Sequence, residues 1–235
     1  MTKIALTFLT ISIIAAILFY SYARPIWVPA YQKVVGKQSV NDVIQRYGDK
    51  AEQNLKPYFD KAGVNYPPQE ITLLAIKDES RLELWSNDSE KPTFIRDYPI
   101  LAASGVLGPK LREGDRQVPE GIYQLEYLNP NSSYHLSVKI NYPNAFDLKH
   151  AKSEGRDQPG SNIFIHGKAV SIGCLAMGDD VIEDLFVLIA KTGRSKVTVA
   201  ITPSDPRLHI LENTSDKAWV TQLYQELSDF FSDYQ

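Results

Sequence analysis

The hydrophobic pattern changes character twice along the chain. Ile4–Tyr20 is an unbroken apolar run without a charge, preceded by Lys3 and ended by Arg24 and Pro25. Apolar side chains cover every face of this segment, which does not suit an amphipathic helix buried along one stripe. Its length falls between a long signal-peptide core and a short membrane-spanning helix, and Ser21-Tyr22-Ala23 places small residues at the two positions a signal peptidase reads. Residues 1–23 are therefore expected to be a signal peptide or a membrane anchor, and the remainder of the chain to be exported.

After a linker at 24–38 the spacing becomes helical. Val43, Ile44, Tyr47, Ala51, Leu55, Tyr58, Phe59 and Ala62 come after Ser39 as N-cap, with Asp42 completing a capping box and Gly63 as the stop. Tyr66-Pro67-Pro68 then leads into a β-rich region. Strands are expected at Ile71–Lys77 and Arg81–Ser86 (a hairpin around Asp78-Glu79-Ser80), Phe94–Ala102, Ile122–Leu128, Tyr134–Ile140, Asn162–His166 and Lys196–Thr202. Helical spacing returns at Asp179–Lys191, closed by Gly193, and at about Asp216–Asp233. Ser104–Gly121 and Asn141–Ser161, dense in glycine, proline and charge, read as long loops of the kind that often carries function. The pattern predicts an α+β fold dominated by β structure. Its parts are a linker and N-terminal helix (24–65), a mixed-sheet domain (66–206) and a C-terminal helix packed on that domain (207–235).

Composition narrows the function. The chain has 235 residues, 43% hydrophobic and 23% charged, with a net charge of −3. No low-complexity tract or repeat suggests disorder or a solenoid. No basic stripe interleaved with aromatics suggests nucleic acid as a partner. The single cysteine, Cys174, excludes an intramolecular disulfide in a domain expected to be exported. A lone cysteine is ordinarily a buried structural thiol, so its neighbours must argue otherwise.

They do. Asn162–His166 is a short apolar strand ending on a histidine, and Gly167, Ser171 and Gly173 lie between His166 and Cys174. A strand end and a glycine-rich turn can bring imidazole and thiol together, and a neighbouring imidazole lowers a thiol pKa from about 8.5. The N–H groups of Gly173 and Cys174 are then candidates to face an oxyanion. Against this, strand-ending histidines are often plain core residues, and Asp179 and Asp180 oppose a thiolate while suiting a helix N-terminus.

The stretch His166-Gly167 … Ser171-Ile172-Gly173-Cys174-Leu175-Ala176-Met177 resembles the signature of the L,D-transpeptidase catalytic domain (YkuD-like) family. Ser104–Asp115, Gln117–Tyr123, Leu128–Ser132 and Asn141–Asn144 are similar to its YafK-like branch, which includes enzymes that detach an outer-membrane lipoprotein from peptidoglycan. The resemblance covers about Tyr66 to Pro206. It implies an L,D-transpeptidase-like mixed sheet, Cys174 as the acyl-forming nucleophile, His166 as general base, and the Gly167 carbonyl orienting the imidazole. It further implies that Ser171 and Gly173 shape the oxyanion site, that no metal or organic cofactor is used, and that the substrate is a diaminopimelate-containing peptidoglycan stem peptide. A peptidoglycan-linked lipoprotein is the further partner it suggests.

Substrate carboxylates make Lys110, Arg112 and Arg156 candidate clamps, although surface charge is the simpler role for each. Ile172 stands where many relatives have a second histidine, Ala176 where many have Arg or Asn, and the His166–Cys174 spacing is short. These departures favour hydrolysis over transpeptidation. Two other classes stay open: a membrane-tethered peptidoglycan-binding module with a buried, unreactive cysteine, and an unrelated cytoplasmic thiol hydrolase.

Overall fold

A computed structural model describes the backbone of residues 2–235 and the side chains of residues 5–20 and 23–235. Lys3, Ile4, Ser21 and Tyr22, which enter the reading of the N-terminus, lie outside those described side chains. The helices are α1 (Thr2–Tyr22), α2 (Arg24–Val35), α3 (Val40–Ala62), α4 (Ala145–Ser153), α5 (Asp179–Thr192) and α6 (Trp219–Phe231). The strands are β1 (Ile71–Ile76), β2 (Arg81–Ser86), β3 (Thr93–Pro99), β4 (Ala102–Ala103), β5 (Gly121–Ser132), β6 (His135–Ile140), β7 (Phe164–His166), β8 (Leu175–Ala176) and β9 (Val197–Thr202). They form one nine-stranded sheet in the order β3-β2-β1-β9-β5-β6-β7-β8-β4. The α+β class is as expected, with strand predominating between β1 and β9.

Sheet and helices are layered for a reason visible in β1. Its six residues are buried on both faces, the signature of a strand covered on two sides. Ile71, Leu73 and Ala75 pack in the core that holds Val43, Leu55 and Phe59 of α3 and Leu185, Phe186 and Leu188 of α5. Leu74 and Ile76 face the opposite way, into a smaller core with Trp85 and with Val220, Leu227 and Phe231 of α6. The long strand β5 joins the two halves of the sheet: Gly121–Gln124 pair with β9, and the residues from Leu125 onward pair with β6, with a register shift between Leu125 and Tyr127. Such an irregularity bends the strand.

Helix α3 begins as its sequence indicates, with the Ser39 side chain accepting from the Asp42 amide and Asp42 reaching back to the Ser39 amide. Several segments differ from expectation: the strand expected at Phe94–Ala102 ends at Pro99, Ala102–Ala103 is a separate strand at the opposite edge of the sheet, and β8 has no expected counterpart. Residues 24–38 are largely helix α2, with Pro25 in its first turn, where a missing N–H costs nothing. The loop at 141–161 contains α4, started by a capping box between Asn144 and Asp147.

The loop at 104–121 has no regular structure except at its last residue, yet it is firmly tied. Buried Glu120 accepts from Lys77 (2.8 Å), the Gly108 amide (2.7 Å) and the Tyr224 hydroxyl of α6 (2.9 Å). At the N-terminus, no single helix among the described residues is long and apolar enough to cross a membrane. Ala5–Tyr20 and Arg24–Val35 meet that length and composition only as a pair bent by 76°.

Leu227 is fully buried against the second face of the sheet. Leu227→Ala is expected to cost about 2–5 kcal/mol, as for other buried leucines, and to lower the urea midpoint accordingly. An unchanged midpoint would show that α6 does not contribute to the cooperative core.

Candidate active site

Strands β7 and β8 run parallel, with Ile165 opposite Leu175 and His166 opposite Ala176. His166 closes β7, and Cys174 lies just ahead of β8. Both line one cleft of about 1070 Å³, walled also by Tyr134, Phe164, Ile172 and Arg116. That is spacious for a small ligand and fits a peptide.

The turn between the two strands is held from several sides. Lys168 is left-handed (φ 63°) and Gly173 has φ 123°, a conformation side chains rarely adopt. A Cβ at Gly167 would lie 2.7 Å from both the Asp179 carboxylate and the Tyr134 carbonyl oxygen, so only glycine fits there. Asp179, at the start of α5, accepts from the Lys168 amide at 2.9 Å and pairs with its ammonium group. Asp180 pairs with Lys50. The two carboxylates expected to oppose a thiolate are thus engaged by lysines.

His166 is 3% exposed, and its Nδ1–H donates to the Gly167 carbonyl at 2.6 Å. That bond fixes the tautomer, leaving Nε2 unprotonated and able to accept. Burial lowers the His166 pKa, opposed by the carbonyl hydrogen bond. Cys174 is half-buried and donates weakly to the Asn162 carbonyl at 3.9 Å. Burial raises its thiol to about 11, against smaller lowering effects from the backbone at Phe164 and from Lys110. The sequence-based expectation of a thiol acidified by its histidine is therefore corrected: in the resting site both groups are neutral, because the cleft disfavours either charge.

Ser171 and Gly173 shape the turn, but not in the way expected. The Ser171 hydroxyl accepts from the amides of Gly173 (3.2 Å) and Cys174 (3.0 Å) and donates to the Cys174 carbonyl (2.7 Å). The two N–H groups expected to face an oxyanion are committed to that hydroxyl.

The three candidate clamps separate. Lys110 reaches the cleft wall, but it is buried, with its ammonium group on Asp115 and on the Arg112 carbonyl (2.9 Å). Arg112 is exposed outside the cleft lining. Arg156 binds Glu154 (2.7 Å) and the Leu111 carbonyl (2.7 Å), tying the two long loops together. The cation the cleft does present is Arg116, exposed and without an ion-pair partner among the described residues. Nothing in the sequence separates it from its basic neighbours. Tyr134, which the sequence places only as the first residue of a strand, lines the cleft with its ring centroid 4.8 Å from that of His166. Among the described residues no cluster of three or more His, Cys, Asp or Glu side chains could hold a metal ion.

The family model for the L,D-transpeptidase catalytic domain (YkuD) matches residues 71–201, from the first strand to the last and across the whole His166–Cys174 turn, and the chain belongs to that family. YafK of Escherichia coli K12, assigned by its name to the L,D-transpeptidases, is 36% identical over 138 residues, covering 57% of this chain and 54% of YafK. The chain thus spans about half the length of the curated relative it matches. Among solved structures, the cell-shape-determining protein Pgp2 (K307A mutant) of Campylobacter jejuni is 23% identical, covering 72% of this chain and 56% of that one at a TM-score of 0.48. L,D-transpeptidase 1 of Mycobacterium tuberculosis is 14% identical, covering 57% and 62% at a TM-score of 0.34.

Iodoacetamide alkylation of Cys174 is expected to rise with an apparent pKa near 11, not near a free thiol's value. The profile of His166→Gln should superimpose on it, because no resting ion pair is lost. A neutral-pH plateau that disappears in His166→Gln would contradict the neutral pair.

Proposed function

We propose that this protein is a cysteine acyl-transfer enzyme acting on diaminopimelate-containing peptidoglycan stem peptides. The observation that carries the reading is that His166, at the end of β7, and Cys174, at the entry to β8, line one peptide-sized cleft inside the family-matched span. The thiol attacks the carbonyl at the L-centre of diaminopimelate as its proton passes to His166 Nε2. The tetrahedral adduct collapses to a thioester, and the departing amine takes the proton back from the imidazolium. Since both groups start neutral, His166 works as a general base during attack, a role worth about 10²–10⁴-fold. Water or an amine then resolves the thioester. Water is the favoured acceptor here: Ile172, 71% exposed at the mouth of the cleft, and buried Ala176 offer no polar group to orient an amine. Release of a peptidoglycan-linked lipoprotein is one outcome of that hydrolysis.

The proposed location is the periplasm, either secreted or held at the inner membrane by residues 4–20. Its support is the apolar surface of α1, whose large side chains from Leu6 to Tyr20 are 50–67% exposed, more than water-facing helices tolerate. The un-ionised thiol is the one observation that favours the alternative, a non-catalytic membrane-tethered peptidoglycan-binding module.

Product analysis decides between them. With stem tetrapeptide and lipoprotein-linked muropeptides supplied together, mass spectrometry should find cleaved products in excess of new cross-links. Cys174→Ala should form neither while its thermal unfolding stays near wild type. No product from the wild-type chain would favour the binding-module reading, and products from Cys174→Ala at the wild-type rate would remove Cys174 from the chemistry. A predominance of new cross-links would replace hydrolysis by transpeptidation.

A further inference from the structure

Helix α2 carries two faces with different neighbours. Arg24, Val28 and Gln32, spaced four apart, share the face turned to the domain. The Arg24 guanidinium donates to the Ser133 carbonyl at 2.6 Å, Val28 is buried, and the Gln32 side chain donates to the Asn131 carbonyl at 2.9 Å. The Asn131 side chain in turn accepts from the Gln38 amide (2.8 Å) and donates to the Gln38 carbonyl (2.7 Å). These contacts pin α2 to the end of β5 and its connection to β6. Pro25, in the first turn of α2, lines the cleft together with Ile172 and Cys174.

The opposite face points outward and is apolar. Ile26, Ala30 and Val34 are again four apart, with Ile26 73% and Val34 86% exposed. Along their flank Trp27 stacks on Tyr20 at 5.2 Å and meets Tyr31 edge-on at 6.5 Å.

Three features indicate what covers this face. No Asp or Glu precedes Asp42, so the exposed Lys33 and Lys37 leave the segment basic in a chain whose net charge is −3. Trp and Tyr gather where an apolar helix meets the polar layer of a bilayer. Between Ala5–Tyr20 and Arg24–Val35 the axis turns by 76°, which lays the second helix along a surface that the first one enters. A basic helix with an apolar, aromatic face is suited to the boundary between lipid headgroups and acyl chains.

Resting on the membrane location proposed above, we infer that the Ile26–Ala30–Val34 face of α2 lies in the headgroup layer of an anionic membrane and holds the cleft mouth beside it. Lys33 and Lys37 meet lipid phosphates there. Every hydrogen bond that pins α2 to the domain involves residues after Ala23, so the surface does not depend on retention of residues 1–23.

The test uses the full chain, with Cys174→Ala as background, reconstituted in vesicles of phosphatidylethanolamine and phosphatidylglycerol. A nitroxide is attached at Val34→Cys, or at Glu90→Cys, exposed between β2 and the edge strand β3, as an aqueous reference. Collisions with oxygen, which concentrates in lipid, should exceed those with a water-soluble nickel complex at Val34→Cys, and the order should reverse at Glu90→Cys. Lys33→Glu combined with Lys37→Glu, or vesicles of phosphatidylcholine alone, should shift the Val34→Cys reading toward the nickel complex. A label at Ile172→Cys should be relaxed by nickel-chelating lipid headgroups more strongly than one at Glu90→Cys; equal relaxation would take the cleft away from the surface. A Val34→Cys reading equal to that of Glu90→Cys, in a chain that floats with the vesicles, would overturn the inference and leave the anchor standing. Spin–spin broadening at Val34→Cys that disappears on dilution with unlabelled chain would give the face to a second copy and overturn it too. A chain that does not float with the vesicles overturns both the inference and the membrane location.

Discussion

The site depends on one backbone constraint, the brevity of the connection between two parallel strands. Parallel neighbours usually need a crossover of a dozen or more residues, whereas β7 and β8 are joined by residues 167–174 alone. So short a return must turn back on itself through left-handed backbone at Lys168 and the glycine-only conformation at Gly173. Most of the polar contacts nearby serve that turn. Asp179 holds the Lys168 amide, the Ser171 hydroxyl gathers two amides and a carbonyl, and Gly167 admits the Tyr134 carbonyl. As a result, His166 and Cys174 are held at the two ends of one short turn and line the same cleft.

That geometry also sets the electrostatics. A turn packed tightly enough to place the two side chains excludes water from them, and exclusion of water raises the thiol and lowers the imidazole. The resting site is then uncharged and slow toward adventitious electrophiles. In the proposed chemistry, a bound carbonyl lets proton transfer and carbon–sulfur bond formation proceed together. Lys110, held by Asp115 in the cleft wall, adds a modest bias toward the thiolate without becoming a substrate clamp. The exposed Arg116, unpaired among the described residues, offers a cation at the cleft for a substrate carboxylate.

Much of this was legible in the sequence, and the failures have physical causes. Seven strands, the α3 capping box and the α5 helix follow from apolar period and cap chemistry, because burial on one or two faces writes itself into spacing. Helix α2 was hidden by Pro25 and Pro29, which signal a linker but are tolerated early in a helix. Helix α4 carried a readable signal, Asn144 followed three residues later by Asp147, obscured by the glycines and prolines around it. The two-residue strand β8 leaves no periodicity to read. At the site, His166, Cys174 and the Gly167 carbonyl contact were accessible from the motif. The occupation of the turn amides by Ser171, the pairing of Lys110 and the placement of Tyr134 were not, because each depends on contacts between side chains and backbone that only the folded turn and loops bring together.

Everything proposed for the chemistry passes through a covalent thioester at Cys174. Rapid quenching of the protein with stem tetrapeptide, followed by mass mapping of its proteolytic peptides, should find the acyl group on the peptide that contains Cys174, removable by hydroxylamine. Turnover that continues after Cys174 has been fully alkylated, with no acyl group on that peptide, would contradict it.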